Sequence, residues 1–212
     1  MRHSQASYPY RWQKMKGQTR NKMIFGAIDL LRRRGLNATS VREVVKHSNT
    51  PRGSVRHHFP DGKQQLISEA MRSADELVTQ LLKALIEDKG PTEGVLSFID
   101  SWKDILRDND YEAGCPILAV CVEQYIGDDG APDTGVQRQF LDIAEEAFSG
   151  WQAIIAAALE SSGVDSLAAS RRSRLIIAAM EGAIVMCRSS RDPAPLDDIK
   201  TEIGLLLGAS QH

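Results

Sequence analysis

The stretch from Ser40 to Gly62 limits the fold more than any other part of the sequence, because it punctuates two very short helical patterns. Ser40 followed by Glu43 is typical of a capping box at a helix start. Ser48-Asn49 is a turn signal, so the helix that begins after Ser40 is predicted to be only about two turns long.

A second short helix follows at once. Thr50 is placed to cap it, with Pro51 at its first position, and Val55 and Phe59 are four residues apart on its inner face. Pro60-Asp61-Gly62 must end it by Phe59. Two short helices joined by three or four residues predict a helix-turn-helix.

Helical patterns dominate the rest of the chain as well. The run "TRNKMIFGAIDLLRRRG" predicts a first helix that Thr19 caps and Gly35 ends. Its inward positions are Ile24, Ala27, Ile28 and Leu31. Further helices are predicted from Lys63 to about Asp88 and near 92–107, 116–125, 135–161, 165–188 and 195–208. The predicted fold class is therefore all-α.

Charge is divided unevenly along the sequence. Residues 1–66 contain 14 Lys or Arg and 3 Asp or Glu, a formal charge of +11, whereas residues 67–212 carry −13. A basic module attached to an acidic body is typical of a protein in which one part meets nucleic acid or an anionic membrane.

The outward face of the second short helix indicates which partner this is. Arg52 and Arg56 share that face with Gly53 and His57. An outward arginine can bind guanine O6 and N7 in the major groove, and a glycine permits close backbone approach. A solvated basic surface on a helical hairpin is the alternative, but the short helices, their caps and the +11 charge together favour DNA.

Several other classes of protein lack support. We find no apolar run of about 18 residues and no apolar middle of a secretory signal, so we expect a cytoplasmic protein without a membrane partner. Cys115, Cys121 and Cys187 contain no CxxC pair, which predicts buried thiols and no metal site. GxSxG, HExxH, P-loop and dinucleotide fingerprints are missing, so we expect neither an enzyme nor a cofactor.

The run "GLNATSVREVVKHSNTPRGSVRHHFPDGKQQL" resembles the DNA-binding domain of the TetR family of bacterial repressors. "GCPILAVCVE" at 114–123 and "PDGK" are similar to the LmrA/YxaF branch of that family. The resemblance implies a homodimer whose helical C-terminal domain binds a small molecule. The predicted domains are a DNA-binding domain at 1–64 and an effector-binding and dimerisation domain at 65–212.

The resemblance also implies roles for single residues. His58 and Lys63 match phosphate-contacting positions, Arg56 replaces a tyrosine that usually binds phosphate, and Thr39, Ser40 and Arg42 are expected to meet the DNA backbone. The residues predicted to bind DNA are Thr39, Ser40, Arg42, Thr50, Arg52, Gly53, Ser54, Arg56, His57, His58 and Lys63. A basic arm with Tyr8, Tyr10 and Trp12 either lies along the duplex or is a solvated tail.

Aromatic and soft apolar side chains in the C-terminal part are either ordinary core or the walls of a chamber for an apolar or aromatic effector. The predicted wall residues are Trp102, Cys121, Tyr125, Phe148, Trp151 and Met180, with Phe140 and Met186 as further candidates and Glu123 and Gln124 as polar anchors. Small and apolar residues at 175–187 and 203–208 suit a four-helix dimer interface or an intrachain core.

These observations predict a repressor that an effector releases from a palindromic operator. A non-specific or architectural DNA-binding protein is the main alternative, and a helical enzyme is a further one.

Overall fold

The computed structural model describes residues 19–127 and 130–208, so the predicted N-terminal arm lies outside the described residues. Within these ranges the chain forms nine helices, and its only extended pairing is a single bridge between Ile126 and Pro132. The helices are α1 Thr19–Arg34, α2 Val41–His47, α3 Ser54–His58, α4 Gly62–Lys89, α5 Pro91–Asp108, α6 Pro116–Cys121, α7 Thr134–Ser161, α8 Ser166–Ser190 and α9 Ala194–Gly208. The all-α prediction is confirmed.

The described residues divide into two compact units. Residues 19–76 and 115–147 form one, here called the head unit, and residues 77–114 and 148–208 form the other, here called the body unit. Helices α4 and α7 contribute residues to both units. The predicted division into residues 1–64 and 65–212 is a boundary between functions and stays a prediction.

Helix α1 supports the helix-turn-helix from behind. Its four predicted inward residues are all buried, and Arg34 is its last residue as predicted. Gly26 permits close packing, because a Cβ there would lie 3.1 Å from the Ser48 Cβ. Gly35 ends the helix with a φ of 83°, a conformation that disfavours other residues.

Helix α2 has the predicted length and cap. The Ser40 hydroxyl accepts a hydrogen bond from the Glu43 backbone N–H at 3.2 Å, and Val44 and Val45 are buried. Asn49 adopts a φ of 51°, so asparagine supplies the left-handed turn residue. The Ser48-Asn49 turn is therefore confirmed.

The predicted start of α3 is wrong. Thr50 does not cap it, since its hydroxyl bonds the Ser48 hydroxyl at 2.9 Å and the helix begins at Ser54. The carbonyls of Pro51 and Arg52 accept from residues three positions later, which makes the entry a tight turn before the α-helix. Buried Val55 and Phe59 anchor the helix as predicted.

In the body unit, α5, α8 and α9 pack together. Lys103 of α5 donates to Asp197 of α9 at 2.6 Å and forms an ion pair with Asp100 at 3.1 Å, while Lys200 of α9 donates to Asp100 at 2.5 Å.

None of the helices in the described part of the chain has the length and apolar character needed to cross a membrane.

Candidate nucleic-acid interface

Three arginines surround one open groove on α2 and the turn and helix that follow it. The groove has a volume of about 540 Å³, and its lining residues are Val41, Arg42, Val45, Arg52, Val55 and Arg56. Val45 and Val55 close its floor because their side chains are buried in the head unit, whereas the three arginines are exposed. The short helices thus present a cationic rim above an apolar floor.

Gly53 lies at the entry to α3 without an internal reason to be glycine. Its φ of −65° suits any residue, and a Cβ built there would meet no described atom within 4 Å. The same position is exposed beside Arg52. The open space lets another molecule approach the backbone closely.

Of the other predicted contacts, His57 is exposed, whereas Ser40, Thr50, Ser54 and His58 are half-buried. The predicted DNA contact of the Thr39 side chain is wrong, because this side chain is fully buried and its hydroxyl donates to the Gly35 carbonyl at 2.7 Å. Thr39 thus shapes the loop before α2, and its side chain does not face a partner.

Lys63 makes an intramolecular contact at the start of α4. Its ammonium lies 4.8 Å from the centre of the Tyr125 ring, which packs edge-on against Phe140 with ring centres 5.3 Å apart. A cation over an aromatic face is held by electrostatic attraction to the ring. The half-buried Lys63 is therefore positioned by the loop after α6.

A half-buried carboxylate joins α1 to α2. Asp29 accepts from Arg32 at 2.8 Å and lies 2.9 Å from the His47 ring nitrogen at the end of α2. Burial alone would raise the pKa of the Asp29 carboxyl, but Arg32 and Arg33 outweigh that effect and lower it. This cluster holds α2, which lines the groove, against α1.

The structure does not bring the six predicted wall residues together within either unit. Cys121 and Tyr125 belong to the head unit with Phe140, whereas the other four wall residues belong to the body unit. Tyr125 packs within the head unit because α6 ends at Cys121 and the following loop places Tyr125 on Phe140. Met186 is 61% exposed and lines no interior.

Within the body unit, Trp102, Trp151 and Met180 are buried, and Phe148 packs edge-on against Trp151 with ring centres 5.3 Å apart. The Trp102 Nε1–H is buried and has no hydrogen-bond partner among the described residues. A buried donor of this kind has a free-energy cost that an acceptor would relieve.

Glu123 is a functional candidate whose role the sequence did not reveal. It was predicted to anchor a ligand, but its carboxylate accepts from the backbone N–H groups of Leu36 at 2.9 Å and Asn37 at 3.1 Å. No local motif predicts a contact between residues 87 positions apart, so periodicity and caps could not have found it.

The body unit exposes an apolar stripe on α8 and a further leucine on α9. Exposed residues recur three or four positions apart along α8, which places them on one face. They are Leu175, Ala178, Gly182, Val185 and Met186, and α9 adds Leu205. Ala183 is buried within the protomer, so a charge there would disturb the core.

Comparison with known proteins places both parts of the chain. Residues 24–70 match the model of the bacterial regulatory proteins of the tetR family, and residues 91–202 match that of the C-terminal domain of LmrA/YxaF-like transcriptional regulators. An HTH-type transcriptional regulator of Mycobacterium tuberculosis is 35% identical over 188 residues, covering 89% of this chain and 93% of that protein. The HTH-type transcriptional regulator LmrA of Bacillus subtilis is 26% identical, covering 90% and 97%.

A regulatory protein TetR from Rhodobacter sphaeroides has a similar fold, with a TM-score of 0.76 at 17% identity, covering 89% of this chain and 98% of that chain. A TetR transcriptional regulator from Legionella pneumophila gives a TM-score of 0.75 at 20% identity, covering 90% and 97%.

Proposed function

Because the chain belongs to the TetR family of transcriptional regulators, in its LmrA/YxaF-like branch, we propose that it is a repressor. In this proposal a homodimer binds a palindromic operator, and a small apolar or aromatic effector releases it. The protein is a DNA-binding regulator and not an enzyme.

The observation that carries the proposal is the groove edged by Arg42, Arg52 and Arg56. Arginine is the side chain best suited to bind guanine O6 and N7 with two hydrogen bonds in the major groove. The backbone at Gly53 is open to close approach. These features support a surface that reads bases as well as holding phosphates.

The apolar stripe supports the proposed homodimer. Leucine, valine and methionine side chains exposed along one helix face are stabilised when a second copy covers them, and twofold symmetry lets one face meet itself. The small Ala178 and Gly182 between them permit close helix approach. A dimer of this kind brings two reading heads to two half-sites.

The unpartnered Trp102 Nε1–H supports an effector site in the body unit. Trp102, Phe148, Trp151 and Met180 supply aromatic and soft apolar surface there. We propose an apolar effector that carries a hydrogen-bond acceptor for the indole. Cys121 and Tyr125 are not part of this proposal.

The proposal is tested by measuring binding to the intergenic DNA upstream of the protein's own gene and to random duplex of equal length. We expect strong preference for the upstream DNA at moderate salt, and release when an apolar aromatic compound is added. Equal binding to both duplexes would favour the alternative of an architectural DNA-binding protein.

Control by the effector is tested by titrating one apolar compound with and without the upstream DNA. Coupling of about 1 to 3 kcal/mol would lower DNA affinity roughly 5- to 150-fold, and by linkage DNA must weaken the compound by the same factor. Identical compound affinity in both titrations would show that its site does not control DNA binding.

A further inference from the structure

We propose that Glu123 is a positioning residue for operator binding, which rests on the proposed function. The Glu123 carboxylate holds the loop between α1 and α2, and this loop sets where the helix-turn-helix begins. The contact joins residues that the two family models cover separately, since Glu123 lies within 91–202 and the loop within 24–70.

The contact is a set of five hydrogen bonds, here called the clasp. Glu123 accepts from the backbone N–H groups of Leu36 and Asn37 and from Asn37 Nδ2 at 3.1 Å. Asn37 Nδ2 also donates to the Gln124 carbonyl at 2.8 Å, and Asn37 Oδ1 accepts from the Ile126 N–H at 3.0 Å. A carboxylate that accepts several N–H bonds binds more strongly than a neutral acceptor.

The loop that carries Glu123 is itself fixed. Tyr125 is buried against Phe140, and its carbonyl accepts from the Asp133 N–H at 3.2 Å. The Gly127 N–H donates to the Ala131 carbonyl at 2.8 Å. The Glu123 side chain therefore extends from a loop whose backbone is held in place by hydrogen bonds.

Leu36 and Asn37, which donate to Glu123, lie just before α2 in the sequence. Gly35 leaves no room for a side chain, since a Cβ there would lie 1.7 Å from Glu123 Oε1. Three residues beyond Asn37, Ser40 caps α2, and buried Thr39 ties the intervening loop back to Gly35. A shift of Leu36 and Asn37 would thus move the start of α2, and Arg42 with it.

A positioning role for Glu123 and a role in stability alone predict different effects on DNA affinity. If the clasp positions α2, its loss should lower affinity for the operator even at temperatures where the protein remains fully folded. Binding to random DNA depends mainly on charge and should change little.

The test compares full-length wild type, Glu123→Ala, Glu123→Gln and Glu146→Gln. Glu146 is an exposed carboxylate in the head unit and provides the matched control. The probes are the upstream intergenic duplex and a random duplex, at a temperature where circular dichroism shows each variant folded. Asn37→Ala provides a second test if Glu123→Ala does not fold.

We expect Glu123→Ala to lose about 2- to 30-fold in affinity for the upstream duplex. Glu123→Gln, which keeps one carbonyl acceptor, should lose less, and Glu146→Gln should match wild type. Hydrogen exchange at the Leu36 and Asn37 amides should accelerate in Glu123→Ala. Affinity for random DNA should stay within about twofold in every variant.

Wild-type affinity of Glu123→Ala and Asn37→Ala for the upstream duplex would overturn the positioning role alone. Equal loss on both duplexes would also overturn it, because a general loss indicates charge or folding. If wild type itself does not prefer the upstream duplex, the proposed function fails first and this inference fails with it.

Discussion

The head unit and the body unit use their exposed surfaces in opposite ways. The head unit exposes arginines on helices of five and seven residues, whereas the body unit exposes leucine, valine and methionine along a helix of 25 residues. Exposed charged side chains are well solvated when no polyanion is bound. An exposed apolar stripe, in contrast, is stabilised when a partner covers it permanently. The contrast indicates a reversible partner for the head and a lasting one for the body.

The means of support differ as well. The short helices of the head bury few side chains each, so polar contacts such as Asp29 with His47 and Glu123 with Asn37 hold them in place. The body relies on long packed helices and adds two ion pairs between α5 and α9, Lys103 with Asp197 and Asp100 with Lys200. We therefore expect single polar substitutions to affect function more in the head than in the body.

The largest expected effect tests whether the apolar stripe on α8 is covered by a second copy of the chain. Val185→Glu places a charge in the apolar stripe and should convert dimers to monomers that keep their helical content. Operator affinity should fall on the order of 10²-fold or more, because two linked heads gain from effective concentration. Sedimentation measures the assembly, and Ala84→Glu, at an exposed site on α4, is the control. A Val185→Glu protein that remains dimeric would place the interface elsewhere.

The next effect tests whether the cationic rim reads bases. Arg52→Ala should lose about 1 to 3 kcal/mol on the operator and relax preference at one base pair. Arg138→Ala removes the same charge from an exposed site on α7 and should leave that preference intact. Fluorescence anisotropy on single-base variants of the duplex measures both. Equal loss on operator and random DNA would leave Arg52 with a phosphate role only.

Lys63→Ala should have a different signature from Arg52→Ala. A phosphate contact carries no sequence information, so binding should weaken alike on all duplexes and the slope of log affinity against log salt should decrease by about 1. An unchanged slope would mean that Lys63 serves only its contact with Tyr125.

Acid should weaken both units through their carboxylates. Burial would raise the pKa of Asp100, but hydrogen bonds from Lys200 and Lys103 outweigh it and lower the pKa, as the arginines do for Asp29. Each lowered pKa stabilises the folded protein above the unfolded value of about 3.9, and that contribution disappears as pH falls through the folded pKa.

Denaturant unfolding of wild type, Asp29→Asn and Asp100→Asn at pH 7 and near pH 3 measures this contribution. Both variants should be less stable than wild type at pH 7, and the difference should narrow at low pH. Asp29→Asn should be the more damaging, because the Asp29 side chain is 15% exposed and that of Asp100 is 37% exposed. A difference independent of pH would contradict an electrostatic origin.

The smallest expected effect separates stability from recognition at one atom. Gly53→Ala adds a methyl group in open space at an ordinary φ, so stability should stay level or rise by about 0.4 to 1 kcal/mol. Operator affinity should nevertheless fall if DNA approaches this backbone. Unchanged affinity would show that the duplex does not come close to Gly53.

The sequence predicted what local signals determine. The last residue of α1, both ends of α2, the turn at Asn49 and the anchors Val55 and Phe59 follow from caps, glycine and periodicity. The start of α3 was wrong because Thr50 has a competing partner in Ser48.

The remaining misses involve contacts between distant residues. Thr39 is buried because its hydroxyl has a partner in Gly35, whereas Glu123 and Tyr125 make contacts inside the head unit that the sequence did not predict. Such contacts depend on where α6 ends and on the loop that follows it. Residue type and spacing do not encode this information in a single sequence.

Selection from a random-sequence duplex pool by the full-length protein tests whether a symmetric dimer reads DNA sequence. We expect enrichment of an inverted repeat whose half-sites lie one helical turn apart, about 34 to 36 Å, or a multiple of it. Arg52→Ala should enrich the same repeat with one position relaxed in each half. A pool that binds without enrichment would contradict sequence-specific recognition, and enrichment without twofold symmetry would contradict binding by a symmetric dimer.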